Sequence, residues 1–327
     1  MDAEQWRAQT VEAALDPELP VIDAHHHIWP EVFAPGFEAY PDDALHADVK
    51  ECGHNIIATV AVEAWGSYRP DGPAELRPVG ETEHAQALAA RAPGLCAGIV
   101  AHANLLLGNA VAPVLEAHLA AAPEHLRGIR HVTAWDQDMP TGYLSTPGLM
   151  AQPAFRAGLR QLARHGLSFD IWAMHPQLGE VLDLVRAFPE TSFILDHLGG
   201  PLGIGRFAQR RAEAFSDWRA ALAPLAACEN VTVKLGGLSM NSTGMDAKGL
   251  ARPRSSVALA ELHRDHILTA IDLFGPQRAM FESNFPVDRM STPYGVLWNA
   301  FKRVTTCFAP ADRATLFAGT ARRVYRL

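Results

Sequence analysis

Eight short apolar runs rich in β-branched residues recur along the chain, separated by longer stretches with helical spacing. They fall at 21–29, 56–65, 95–104, 126–134, 167–173, 192–197, 231–236 and 279–283. Helical segments are predicted at 113–121, 153–165, 178–188, 217–227 and 257–274, several with Gly or Pro near an end. Eight such alternations predict a parallel sheet closed into a (β/α)8 TIM barrel. The competing doubly wound sheet would carry a glycine-rich phosphate turn after its first strand, where this chain reads AHHHIW.

A chain of 327 residues suits one such barrel, so a single domain spanning 1–327 is expected, with 1–20 as an N-terminal extension. Two segments rich in Gly, Pro, Ser and charge, 66–80 and 236–256, directly follow predicted strands and read as rim loops. The net charge of −8 gives a nucleic-acid partner no electrostatic support and leaves a small-molecule substrate as the expected partner. Homo-oligomerisation is left open. The four scattered cysteines, Cys52, Cys96, Cys228 and Cys307, form no CxxC pair. With an acidic N-terminal stretch and no run of membrane-spanning length, a cytoplasmic protein away from membranes is expected.

Chemistry-bearing residues gather where the predicted strands end. Strand alternation sends His25 and His27 to one face and His26 to the other, so the pair can grip one metal ion or one anionic group. Taken alone, a three-histidine run is equally packing or chance. His175 follows the fifth strand in FDIWAMHPQL, and His197 ends the sixth in FILDHLGGP. After the eighth comes FESNFPVD, where Glu282 and Asn284 are expected on one face and Asp288 in the loop.

Together IDAHHHIW, PQL, LDHLGGP, VKLGGL, FESNFPVD and GTARRVYRL resemble the amidohydrolase superfamily over about 21–327. The similarity is to its amidohydrolase-2 branch of barrel enzymes, which includes sugar lactonases and 2-pyrone-4,6-dicarboxylate lactonase. That resemblance implies a divalent metal, zinc or manganese, held by His25, His27, His175 and His197. Metal-independent members imply the alternative, in which the same histidines hold substrate. It also implies a water-activating Asp after the eighth strand, but this chain has Asn284 there, and a neutral amide cannot accept a proton near pH 7. Glu282 is the preferred replacement and Asp288 the other; paired instead with Lys234, Glu282 would be an internal barrel ion pair.

Glu63, Arg130 and His131 are candidates to hold a substrate carboxylate, Arg130 through its planar fork, or else to form an internal ion pair. Trp65, Trp135, Trp172 and Tyr294 are candidates for an apolar pocket wall or for packing beneath loops. His263 and His266 read as solvated residues of an outer helix. The expected function is hydrolysis of a carboxylated or polyhydroxylated lactone, with His197 among the catalytic groups and Lys234 and Trp172 among those facing substrate. The alternatives are a metal-dependent decarboxylase and a catalytically silent barrel that binds without turnover.

Overall fold

The computed structural model describes residues 2–32, 36–139 and 145–327. The apolar runs form β1 (Val21–His26), β2 (Ile56–Val62), β3 (Gly98–His102), β4 (Leu126–Arg130), β5 (Ser168–Ile171), β6 (Phe193–Leu195), β7 (Val231–Leu235) and β8 (Ala279–Phe281). They lie in one sheet in sequence order, and each neighbouring pair is parallel. The two edges meet: Asn284 N–H donates to His25 O at 2.9 Å, and His27 N–H to Phe285 O at 2.7 Å. The result is a (β/α)8 TIM barrel.

Helix α1 (Ala3–Arg7) precedes the barrel. Helices α2 (Asp42–Glu51), α3 (Val79–Arg91), α4 (Ala112–Ala121), α5 (Pro153–Arg164), α6 (Leu178–Ala187), α7 (Arg211–Ala226) and α8 (Ser256–Phe274) connect successive strands. Three more, α9 (Tyr294–Val304), α10 (Pro310–Ala314) and α11 (Thr320–Tyr325), follow β8. Helix α5 shows why such segments dock. Pro153 presets its first turn, Phe155, Leu159 and Leu162 share one buried face, and Gly158 lets the backbone approach Leu105, where a Cβ would meet the carbonyl oxygen at 2.3 Å.

Every strand ends before its apolar run does. Beyond β6, His197 and Leu198 both take φ of 53°, and beyond β8 Asn284 takes 56°, so these residues leave the ladder and enter the rim. Segment 66–80 is not all loop, since α3 begins at Val79. Inside the barrel, Ile22, Ala24, Val60, Val62, Val100, Ile194 and Met280 pack with Ala318, Ala321 and Tyr325 of the closing segment, forming an apolar floor beneath the rim. His263 and His266 are not solvated as expected: His263 is buried, and His266 packs on the rings of Phe215 and Trp218, because this face of α8 covers α7. Among the described residues no helix is long and apolar enough to cross a membrane.

Candidate active site

The site begins with a bulge. Asp23 pairs with Thr59 and His26 with Ala61, so β1 takes three steps where β2 takes two. One extra residue shifts the alternation. Ile22 and Ala24 face the barrel floor below it, and His25 and His27 face the rim centre above it. His26 goes the other way, its Nε2 2.9 Å from Thr59 Oγ1, and burial pushes its pKa down to about 3. Asp23 stitches the bulge to β8 by accepting from Ser283 N–H at 2.8 Å and from the Tyr294 hydroxyl at 2.9 Å. Tyr294 is therefore buried against Asp23, below the three histidines.

Three imidazoles meet above the bulge, two of them anchored through Nδ1 by an acceptor. His27 Nδ1 lies 2.8 Å from Val62 O, His197 Nδ1 2.7 Å from Glu282 Oε1, and His25 Nδ1 3.1 Å from Glu282 Oε2. Lys234 Nζ also reaches His25 Nδ1, at 3.1 Å, but its shorter contacts are to Asp170 at 2.7 Å and Asp196 at 2.9 Å. The acceptors at His27 and His197 place their ring protons on Nδ1 and leave their Nε2 lone pairs toward the centre, whereas His25 Nδ1 faces both Glu282 and the Lys234 ammonium. Burial, with the charge of Lys234, lowers the pKa of His25, and burial takes His27 well below the usual range, so both rings are neutral.

The two carboxyls after β8 behave oppositely. Burial alone would raise Glu282, but His197 and His25 outweigh it and hold the group at about 2. Burial raises Asp288 to about 7, against the Ser239 N–H, the His197 ring and the Asn284 amide that favour its charge. Asn284 does not share a strand face with Glu282. Beyond the end of β8 it turns to donate from Nδ2 to Asp288 Oδ1 at 3.1 Å, while Ser239 N–H donates to Oδ2 at 3.1 Å. The pairing of Glu282 with Lys234 is not seen: Lys234 bridges Asp170 and Asp196 and stays protonated because those carboxylates outweigh its burial.

Arg130 lies beside this cluster. Its Nε donates to Glu63 Oε1 at 2.9 Å and its Nη2 to the Glu63 carbonyl, while Nη1 stands 3.5 Å from His25 Nε2 and 3.6 Å from Asp196 Oδ2. Trp172 borders the centre, its ring 6.2 Å from that of His197. Two expected residues lie elsewhere. His131 faces the helix layer, accepting from Leu105 N–H at 3.2 Å and packing on Phe155. His175 Nδ1 accepts from Leu202 N–H at 3.0 Å and its ring packs on Phe207.

Asp170, Asp196 and His102 were not singled out from the sequence. Asp196 is hidden by alternation, which assigns neighbours to opposite faces, whereas the left-handed turn at His197 brings both to the rim. Asp170 was findable as a lone charge within an apolar strand.

Among the described residues, His25, Asp196 and His197 offer ligand atoms all within 4.8 Å of one another. His25 Nε2 and His27 Nε2 are 3.3 Å apart. Two imidazole nitrogens each bound at ~2.0–2.1 Å to a tetrahedral ion would stand about 3.3–3.4 Å apart, so this donor set fits a divalent ion.

The amidohydrolase family model matches residues 22–327. The chain belongs to the amidohydrolase family. Protein y4mH of Sinorhizobium fredii is 31% identical to this amidohydrolase over 95% of this chain and 99% of its own. An L-fucono-1,5-lactonase of Burkholderia ambifaria is 26% identical over 94% and 95%. A crystal structure of an amidohydrolase from Burkholderia multivorans with bound zinc superposes with a TM-score of 0.73 at 26% identity, covering 94% of this chain and 99% of that one. Family membership and the lactonase-named relative support a hydrolase.

Proposed function

We propose that this amidohydrolase opens a small lactone by adding water to the ester carbonyl. The observation that carries the reading is the anchoring of His27 and His197 through Nδ1, which presents their unprotonated Nε2 atoms, with His25 Nε2 3.3 Å from that of His27, beside one ionised and one proton-exchanging carboxyl. Environments that push two carboxyls apart in this way separate an acid–base group from an electrostatic one. The lactonase name of the relatives points to cyclic esters as the substrate class.

The residues divide the work. Glu282, with one oxygen on each of two histidines, orients His25 and His197. Asp288, poised near neutrality, takes the proton from the attacking water, and Asn284 aligns it. The water oxygen bonds to the carbonyl carbon, and the oxyanion that forms faces Arg130 Nη1, the guanidinium nitrogen turned toward His25. Cleavage of the ring C–O bond then returns the proton from Asp288 to the leaving alkoxide, giving the hydroxy acid. His25 and His27, with Asp196 or His197, would hold a zinc or manganese ion; the structure of the Burkholderia multivorans amidohydrolase contains zinc. When bound, such an ion would polarise the carbonyl and acidify water.

A panel of five- and six-membered lactones, L-fucono-1,5-lactone included, followed by proton release in weak buffer, tests the reading. Turnover of at least one sugar lactone is expected. Absence of hydrolysis across the panel, with metal supplied, would overturn it.

A further inference from the structure

The closing GTARRVYRL segment carries a polar group into the barrel floor. Ala318, Ala321 and Tyr325, three and four residues apart, turn one stripe toward the barrel interior, where two small side chains admit the backbone and one ring fills the space. Arg326 then takes φ of 54°, and Leu327 N–H turns back to Arg322 O at 3.0 Å. The Tyr325 side chain is fully buried, and its hydroxyl donates to Asp170 Oδ2 on β5 at 2.7 Å. Lys234 Nζ donates to the same oxygen, also at 2.7 Å, while Asp170 Oδ1 accepts nothing among the described residues. One carboxylate oxygen thus joins the end of the chain to the cation beneath His25.

The ammonium lies among Asp170 Oδ2 at 2.7 Å, Asp196 Oδ1 at 2.9 Å and His25 Nδ1 at 3.1 Å. A lysine stem is flexible, so its partners decide where the charge sits, and here it is drawn furthest toward Asp170. Asp196 stands close to it, yet neither of its oxygens takes a hydrogen bond among the described residues. Their lone pairs stay open beside His25 and His197. An ammonium released by Asp170 would settle on Asp196 and His25, setting a positive charge and its protons against donors that a divalent ion needs bare. Tyr325 opposes that shift, because its hydroxyl is the second donor that fixes Asp170 Oδ2 and favours its charge.

We propose that Tyr325 is a positioning residue of the site: through Asp170 it keeps the Lys234 ammonium anchored toward the floor and leaves Asp196 and His25 free to hold a divalent ion. The inference rests on the metal-holding role given above to His25 and Asp196, and not on the identity of the substrate. Zinc binding, read without substrate, therefore tests it apart from the lactonase reading.

The experiment is zinc titration of the metal-stripped full chain in competition with a chromogenic chelator. Tyr325→Phe keeps the ring, including its place 5.5 Å from Lys234 Nζ, and removes only the hydroxyl. Its zinc affinity should fall roughly tenfold, the lower end of what losing an outer partner of a metal ligand costs. Asp170→Asn should lose at least as much, and the double variant no more than Asp170→Asn alone, because the hydroxyl then has no charge to hold. Thr320→Val is the matched control. It removes another buried hydroxyl of the same segment, bonded to Pro276 O at 2.8 Å, and should melt lower yet bind zinc as wild type does. If Tyr325→Phe fails to fold by its melting curve, Asp170→Asn decides, and unchanged affinity there overturns the proposal. Wild-type affinity in Tyr325→Phe, an equal loss in Thr320→Val, a double variant in which the two losses multiply, or no zinc bound by wild type would also overturn it. Lost zinc affinity in Tyr325→Phe with no lactone hydrolysed by wild type would support the positioning role and overturn the lactonase reading; lactone hydrolysis with zinc affinity unchanged would do the reverse.

Discussion

Glu282 Oε1 lies 2.7 Å from His197 Nδ1, and its other oxygen lies 3.1 Å from His25 Nδ1. A carboxylate so placed accepts from the His197 ring and sets its second negative oxygen against the His25 ring; an amide would turn a donor toward one of them, because one of its two heteroatoms is a donor.

Glu282→Gln should therefore turn one imidazole into the wrong tautomer. The expected result is a fall in kcat of roughly 10² or more, with a smaller change in KM. Steady-state kinetics on the best lactone checks it, and activity within about threefold of wild type would contradict the anchoring role.

Metal content should follow the geometry. His25→Ala and His27→Ala should lose bound zinc or manganese, whereas His175→Ala should retain it, since His175 Nδ1 is occupied by the Leu202 N–H and its ring packs on Phe207. Elemental analysis after dialysis decides. Equal metal loss in all three variants would return His175 to the ligand set.

Much of this was legible in the chain. Strand positions follow from apolar runs that few other folds would space in this way, and the pairing of His25 with His27 follows from alternation over two residues. Helix α2 was missed because DDALHADVKE buries only Leu45 and carries little apolar signal. What could not be read was the backbone beyond regular structure. The left-handed residues His197 and Asn284 re-aim side chains after the strands end, so Asp196 joins the site and Asn284 meets Asp288 instead of Glu282. His131 adjoins Arg130 in sequence, but strand alternation sends it to the helix layer.

Asn284→Asp would set a carboxylate where an amide now donates to Asp288 at 3.1 Å. Like charges at that range raise the pKa of at least one partner. The acid limb of the pH–rate profile should move up by about one unit or more. An unmoved limb would mean that Asp288 does not govern it.

The raised pKa of Asp288 also predicts a stability signature. Its folded value of about 7 exceeds its ordinary 3.8, so the fold binds a proton that the unfolded chain has released between those values. That stabilisation is fully present below about pH 4 and lost as pH rises through about 7. Asp288→Asn is neutral throughout. Its unfolding free energy relative to wild type, followed by denaturant titration, should climb from pH 5 to pH 8, by an amount on the order of a few kcal/mol at most. Asp23 and Asp170, each raised to about 6 by burial, titrate in both proteins and cancel in the difference. A difference that stays flat across this range would contradict the raised value.

The pH dependence of kcat/KM for wild type, Glu282→Gln and Asp288→Asn, measured on one lactone at fixed metal, tests the division of labour between the two carboxyls most directly. Wild type and Glu282→Gln should both gain activity as pH rises through about 7, because Asp288 titrates in each. Asp288→Asn should be slower by roughly 10² or more and lack that limb. A limb that disappears with Glu282→Gln and persists in Asp288→Asn would contradict the account and make Glu282 the base.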